Sequence, residues 1–441
     1  MRVGWLLAAV IAATPMAGLA RDGQPPVTRA MVETQFERFQ PDYRRLKQER
    51  LAKLRPLEEQ LYALQAAGEP MFCSAHMLNE LRWLLQSTAE WSRIDKQIWL
   101  LRLSLQDKDQ SFAMNQESHD GSWGVCYDEW FKKLDPMIQA INLMAGRDVG
   151  PQHSELDFLQ PIDTPEELTA YLERVRLSDI AATGLNRRDE LGAVTSVMAE
   201  IVFKQYVQDY IARHVKGLDL SRGYTDAFRA FLDEWQDPST GYWGPWYRID
   251  GEVRKATDLS FTYHIIAYRQ GQVAHWDRII ATTLALEDQE YPFGWRYQGQ
   301  LTNHNAYDVV RILQQGWPHM DDGQRVLSAA AIERLLQWSL RDSLQPDGTF
   351  TTPGGFDSSV SDAQYYGVSL LTKAGYCATR PPFWTDRTWP ERAETCCRIA
   401  DRLARLDADI PAAEAARRRL AEAYPLCPNP PAAAGDRPLG P

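Results

Sequence analysis

The chain has 441 residues, 44% hydrophobic and 24% charged, with 27 Gly and 26 Pro. That profile excludes the disordered, collagen-like and membrane-embedded classes. The formal net charge of -11 at pH 7 argues against a nucleic-acid partner, because such binding rests on Lys and Arg neutralising phosphates.

The first twenty residues place Arg2 before an apolar run from Val3 to Ala13, then Pro15 and the small-residue stretch Ala17-Gly18-Leu19-Ala20 ahead of Arg21-Asp22. This is the pattern of a secretory signal peptide over residues 1–20. No later stretch reaches the ~18 apolar residues of a spanning helix, so a periplasmic or secreted chain without a membrane span is expected. Six Cys in an oxidising compartment predict disulfides, with Cys73 paired to Cys126 and Cys377 to Cys396 or Cys397. No C-x-x-C occurs, which weighs against a Cys-based zinc site.

Apolar residues at intervals of three and four predict amphipathic helices over 33–64, 78–105, 166–179, 190–214, 225–235, 273–286, 324–344 and 392–424, and strand-like alternation is scarce. Thr164-Pro165-Glu166-Glu167 is a helix-start signal. Three further segments, 261–269, 307–314 and 364–373, are apolar on most sides and read as buried helices. Amphipathic and buried helices alternate from about residue 220, so each hairpin supplies an outer and an inner helix. The expected organisation is an all-α domain over 21–427, with N-terminal hairpins over 30–150, a main ring over 160–424 and a disordered tail over 428–441. A monomer is expected.

The connections into the buried helices, 236–257, 290–303 and 345–361, are long, and loops of that length are usually functional. A pattern recurs in the connections: Gln116-Glu-Ser-His-Asp120-Gly121-Ser-Trp123, Gln236-Asp-Pro-Ser-Thr-Gly241-Tyr-Trp243 and Gln345-Pro-Asp347-Gly348-Thr-Phe350. Each unit turns the chain on a glycine and returns an aromatic ring onto its hairpin. These units resemble the loop motifs of the α/α-toroid superfamily of terpenoid cyclases, protein prenyltransferases and, more distantly, α/α-barrel glycoside hydrolases and polysaccharide lyases. The resemblance implies two concentric rings of helices with a cleft at one rim. The Asp-x-Asp-Asp motif of the cyclases is absent.

Each buried helix begins with a polar cluster: Asp258-Leu-Ser260-Phe-Thr-Tyr263-His264, Thr302-Asn303-His304-Asn305-Ala-Tyr307-Asp308 and Ser361-Asp362-Ala-Gln364-Tyr365-Tyr366. Any one of these also fits an ordinary helix cap. Helical spacing puts His304, Tyr307 and Asp308 on one face. Asn303-His304-Asn305-Ala-Tyr307 resembles the Asn-Asn-His-x-Tyr motif of α/α-toroid alginate lyases, and Tyr263-His264 resembles their Tyr-His step, though in the reverse chain order.

The resemblance implies β-elimination on a uronate-containing polysaccharide. Asn303 and His304 would neutralise the carboxylate, His304 being the candidate base, with Tyr307, Tyr263 and His264 completing the acid-base set. Arg296, Asn186, Arg187 and Asn305 are candidate substrate contacts, although Arg187 and its neighbour Arg188 also fit a solvated surface. Trp246 and Trp295 are expected to stack on sugar, and Trp123 and Trp243 to pack their own hairpins. Asp258, Asp308, Asp362 and Tyr365 complete the candidate substrate-binding rim.

The alternatives are an inverting glycoside hydrolase, which needs two facing carboxylates from Asp258, Asp308 and Asp362, and a glycan-binding protein without catalysis. Nothing in the sequence calls for a cofactor or metal. Asp258, His264 and Asp362 are the residues from which a metal site could be assembled.

Overall fold

A computed structural model of the chain describes residues 26–427 except 68, 70, 108–115, 124–125, 219, 221, 352–359 and 407–410. The expected leader over 1–20 and tail over 428–441 lie outside these. The fold is mostly helical. Its first half comprises α1 (Arg29–Phe39), α2 (Tyr43–Ala66), α3 (Phe72–Ser87), α4 (Trp91–Ser104), α5 (Leu134–Ala145), α6 (Pro165–Arg176), the short turn α7 (Ile180–Thr183), α8 (Arg188–Phe203) and α9 (Gln205–His214). The second half comprises α10 (Arg222–Trp235), α11 (Leu259–Tyr268), α12 (Trp276–Ala285), α13 (Asn303–Gly316), α14 (Asp322–Trp338), α15 (Val360–Lys373), α16 (Arg392–Ala404) and α17 (Pro411–Ala423).

Several long periodic segments are broken in two. Residues 33–64 divide at Gln40-Pro41-Asp42, where proline cannot continue the helical ladder. Residues 190–214 divide at Lys204, whose backbone is extended. Thr164 caps α6 by accepting from Glu167 N at 3.2 Å, as its sequence requires.

The buried helices form a row in which α8 packs on α11, α11 on α13, α13 on α15 and α15 on α17. Helices α6, α12 and α14 lie against this row, α6 on α8, α12 on α13, and α14 on both α12 and α13. Helix α13 is buried along most of its length, from Asn303 to Gly316, and the polar Asn303, Asn305 and Asp308 of its first turns are buried with the apolar residues.

One element departs from the expected helix-and-loop pattern. The connection 236–257 contains β2 (Trp246–Ile249) and β3 (Glu252–Lys255), antiparallel, with β1 (Leu177–Ser178) parallel to β2 on its other edge. The hairpin turns on Asp250 (φ 55°) and Gly251 (φ 83°), the left-handed pair that an Asp-Gly turn between alternating residues favours. A small core of Val27, Val32, Phe36, Tyr43, Ile180, Tyr247, Ile249, Ala256 and Phe293 fixes α1 to this sheet, apart from the main core.

The first two glycine-aromatic units are a structural repeat, and the third departs from it. Gln116 Nε2 donates to Gly121 O and His153 O, each at 2.9 Å. Gln236 Nε2 likewise donates to Gly241 O and Ala274 O, each at 2.9 Å. In the third unit Gln345 turns instead to Ser343 O, and Gln364 of α15 donates to Gly348 O at 3.1 Å. Trp123, Trp243 and Phe350 are all buried, so the two tryptophans expected to pack their hairpins do so.

The cysteines pair as Cys73–Cys126, Cys377–Cys396 and Cys397–Cys427. Among the described residues, no helix is long and apolar enough to cross a membrane.

Candidate functional site

The starts of α8, α11, α13 and α15 converge. Arg188, the first residue of α8, reaches Asp258, the N-cap of α11, with Nε to Oδ2 at 2.7 Å and Nη2 to Oδ1 at 3.1 Å. Asp258 also accepts from Phe261 N at 3.0 Å, so one carboxylate caps its own helix and ties two helices together. A positive charge at a helix N-terminus opposes the macrodipole; here the buried carboxylate compensates it. Burial pushes the Asp258 carboxyl up, and the Arg188 guanidinium pulls against that shift. The Arg188 guanidinium also lies 4.9 Å from the Phe261 ring centroid and 5.7 Å from that of Tyr291.

Beside this pair, the His304 imidazole stacks on Tyr366 with centroids 3.9 Å apart and planes 6° from parallel. Tyr291 lies 6.4 Å away on centroids. Burial, with the nearby His264, lowers the His304 pKa to about 3. Burial, with Arg188 adding to it and Glu200 opposing it, lowers that of His264 to about 4. Both imidazoles are therefore neutral at physiological pH.

The Tyr263 hydroxyl donates to the Tyr307 hydroxyl at 3.3 Å. Burial, Asp308 and Tyr307 together raise the Tyr263 pKa far above its ordinary value. Asp308 is fully buried with neither carboxylate oxygen hydrogen-bonded, and its nearest cationic candidate, His304 Nε2, is 3.9 Å away. Burial, reinforced by Asp258, raises its pKa well above the ordinary carboxylate value, so it is held as the neutral acid.

A cavity of about 610 Å³ adjoins this cluster, with Arg188 and Tyr291 in its wall. Its opposite side is built by α1 and α2 through Phe36, Tyr43 and Lys47, and Tyr297 lines it from the loop before α13. The cleft wall thus offers tyrosine rings and charged side chains, and the histidine-tyrosine cluster stands behind it, joined through Arg188 and Tyr291.

Several expected site residues have other work. Asn303 donates to Ser343 Oγ and accepts from Ser339 Oγ, both at 2.7 Å; its amide is spent behind α13, so it is not the carboxylate neutraliser. Asn305 is buried and donates to Trp295 O at 2.9 Å. Trp295 is 1% exposed and donates to Thr283 O at 2.9 Å, so it packs its hairpin and is not available to a sugar. Trp246 is engaged by Arg176, 3.9 Å from its ring centroid, and by Lys255 at 4.8 Å.

Arg296 pairs with Asp288 at 2.9 Å, and Arg187 with Glu190 at 2.8 Å. Asn186 accepts from Arg188 N at 3.1 Å and lines the cavity. Asp362 is half-buried in the first turn of α15. The structure brings together Asp258, Tyr263, His264, His304, Tyr307, Asp308 and Tyr365.

It adds Arg188, Tyr291, Tyr366 and Arg419. The Arg419 guanidinium lies 4.7 Å from the Tyr365 ring centroid and 5.6 Å from that of Tyr307, and it donates to the Tyr365 hydroxyl at 3.0 Å. In the sequence, Arg188 sits in the polar turn after Asn186, where a solvated surface position fitted it. Arg419, in the run Arg417-Arg418-Arg419, has no sequence mark that separates it from solvated neighbours. Among the described residues, no group of three or more His, Cys, Asp or Glu is arranged to hold a metal ion.

Compared with protein-family models, curated proteins and solved structures, the chain has no match.

Proposed function

We propose that this chain is an exported polysaccharide lyase of α/α-toroid architecture, which cleaves a uronate-containing polysaccharide by β-elimination. The observation that carries this reading is the Tyr263–Tyr307 hydroxyl pair at 3.3 Å beside neutral His304, with Asp258 and Asp308 both sealed from solvent. Of these groups, those that remain part-exposed are the His304 imidazole and the Tyr263 phenol. A carboxylate pair facing a glycosidic bond would need exposed acids, which weighs against hydrolysis by Asp258 and Asp308. The row of inner helices α8, α11, α13, α15 and α17 supports the toroid, and the three disulfides support export.

Neutral His304 takes the proton from the carbon next to the uronate carboxylate. The electron pair left behind forms the new carbon-carbon double bond and expels the glycosidic oxygen from the β carbon, and a tyrosine hydroxyl protonates that oxygen. The carboxylate needs positive charge, which a neutral His304 does not supply. Arg419 supplies it, since Arg188 is already paired with Asp258 and Asp189, and the protonated state of Asp308 spares the substrate a repelling charge. A bound carboxylate beside His304 also raises the basicity of the imidazole toward what proton abstraction requires.

The test is to incubate the mature chain with alginate, glucuronan, pectate and hyaluronan while following ultraviolet absorbance of the unsaturated uronate product. His304→Ala and Tyr307→Phe are run beside it, each expected to lower kcat by about 10² to 10⁴. New reducing ends without absorbance would transfer the reading to hydrolysis, and neither signal would leave glycan binding.

A further inference from the structure

Beyond the histidine-tyrosine cluster, three successively packed helices, α13, α15 and α17, each carry a part-buried cation: Arg311, Lys373 and Arg419. Arg311 of α13 is four residues past Tyr307, about 6 Å along the helix, and Lys373 of α15 is eight past Tyr365, about 12 Å. Arg419 of α17 reaches Tyr365, Ser369 and the Tyr307 ring, so two of the residues it touches, Ser369 and Tyr307, stand one helical turn before Lys373 and Arg311 respectively. Helix α15 packs on both α13 and α17.

None of the three makes an ion pair among the described residues. Arg419 spends its fork on two neutral hydroxyls, and Arg311 donates from Nη1 to Gln314 Oε1 at 2.9 Å while its Nε is buried without a partner. Asp308, one turn before Arg311, leaves both carboxylate oxygens unbonded. Burial lowers the Lys373 pKa, and repulsion from Arg311 and Arg419 adds to the shift. Elsewhere in this acidic chain arginines are mostly paired, as Arg45, Arg50, Arg187, Arg188 and Arg334 are. A part-buried, mutually repelling set with no acid to compensate it is unfavourable unless an anion completes it.

We propose that Arg311, Lys373 and Arg419 form an oxyanion-binding subsite that takes the carboxylate or sulfate groups of an acidic oligosaccharide, so that the ligand is charged on successive units. The saccharide identity rests on the lyase reading; the anion site does not. One feature favours a chain-like ligand over a lone ion: Arg311 and Lys373 stand about 6 Å and about 12 Å along their helices from Tyr307 and Tyr365, so the positive charge is spread over more than one sugar unit.

The test is calorimetric titration of the full mature chain with an oligouronate hexamer, with the same hexamer after reduction of its carboxyl groups, and with sodium sulfate. Wild type is expected to bind the acidic hexamer at least tenfold more tightly than the reduced one, with affinity falling as salt rises. Arg311→Gln/Lys373→Met is expected to lose at least tenfold for the acidic hexamer and little for the reduced one, whereas Lys373→Arg retains most of the affinity. Without ligand, Lys373→Met is expected to melt at a higher temperature than wild type, since it relieves repulsion; a lower melting temperature would count against the site.

Equal binding of the two hexamers, or an unaffected double variant, would overturn the proposal. So would sulfate binding that the hexamer fails to displace, since the site would then serve a free ion. The lyase reading fails separately, by intact hexamer binding with no unsaturated product.

Discussion

The His304 imidazole lies flat on the Tyr366 ring, 3.9 Å between centroids and 6° from parallel, although the two residues belong to different buried helices, α13 and α15. The stack fixes the imidazole plane while leaving it uncharged. Tyr366→Phe keeps the platform and is expected to retain near-wild-type turnover. Tyr366→Leu removes it and is expected to lower kcat by about tenfold to a hundredfold, with less effect on KM, because a misplaced base costs rate before it costs binding. Steady-state kinetics on the substrate identified by the lyase assay decides this, and equal turnover in the two variants would show the stack to be incidental.

The same burial makes stability depend on pH in two opposite ways. His304 and His264 have folded pKa values lowered to about 3 and about 4, against about 6.5 unfolded. The unfolded chain therefore binds more protons between these limits, and the histidine contribution is present above about pH 6.5 and lost as pH falls toward 4. Asp308 has a raised folded pKa, so its contribution is present below the unfolded value of about 3.9 and is lost as pH rises through the folded one. His304→Phe keeps a ring on Tyr366 and removes the titration. Its melting temperature relative to wild type is expected to rise as pH falls, and that of Asp308→Asn to rise as pH increases. Parallel melting curves across pH for either variant would contradict the burial described.

Arg188 and Asp258 join α8 to α11 by two hydrogen bonds of 2.7 and 3.1 Å, with Asp258 inaccessible to solvent. Removing Arg188 leaves the buried Asp258 carboxylate without its cation, and removing Asp258 leaves the part-buried Arg188 with Asp189 alone, at 2.8 Å. Arg188→Met and Asp258→Leu are each expected to cost about 3–5 kcal/mol of unfolding free energy, whereas the double replacement costs much less than their sum. Denaturant unfolding of the four proteins measures the coupling. Additive losses would mean that the two residues do not act as a pair.

How much of this was legible in the sequence follows from which physical signals are local. Helical periodicity located the elements, because burying one face is a local pattern. It did not mark the breaks at Pro41 and Lys204, where the apolar spacing continues across a backbone that does not. The Asp250-Gly251 hairpin carried a turn signal and alternating residues but lay inside a segment read as a loop. At the site, spacing suggested only that His304, Tyr307 and Asp308 share a helix face; that Tyr263 meets Tyr307 follows from the packing of α11 on α13. Asn303 and Trp295 did not meet expectation, because whether a residue near a helix start or in a rim loop faces the cleft or the neighbouring helix is decided by packing between distant segments. Arg419, more than a hundred residues from Tyr307, meets it only through the packing of α17 on α15.

The repeat offers a test of packing that needs no knowledge of the substrate. Gly241 has φ 72°, and a Cβ there would stand 2.7 Å from Ile279 N and 2.9 Å from His275 O. Gly251, in the hairpin turn, has φ 83° with nothing within 4 Å of the same added atom. Alanine at either position bears the left-handed backbone cost of about 1–2 kcal/mol. Only at Gly241 does it also collide with backbone of the α12 segment, which cannot yield as a side-chain tip can, adding about 1–3 kcal/mol for overpacking. Gly241→Ala is therefore expected to be less stable than Gly251→Ala by that second amount in denaturant unfolding. Equal losses would mean that the repeat loop does not press on the hairpin that follows it, and that its glycine serves the turn alone.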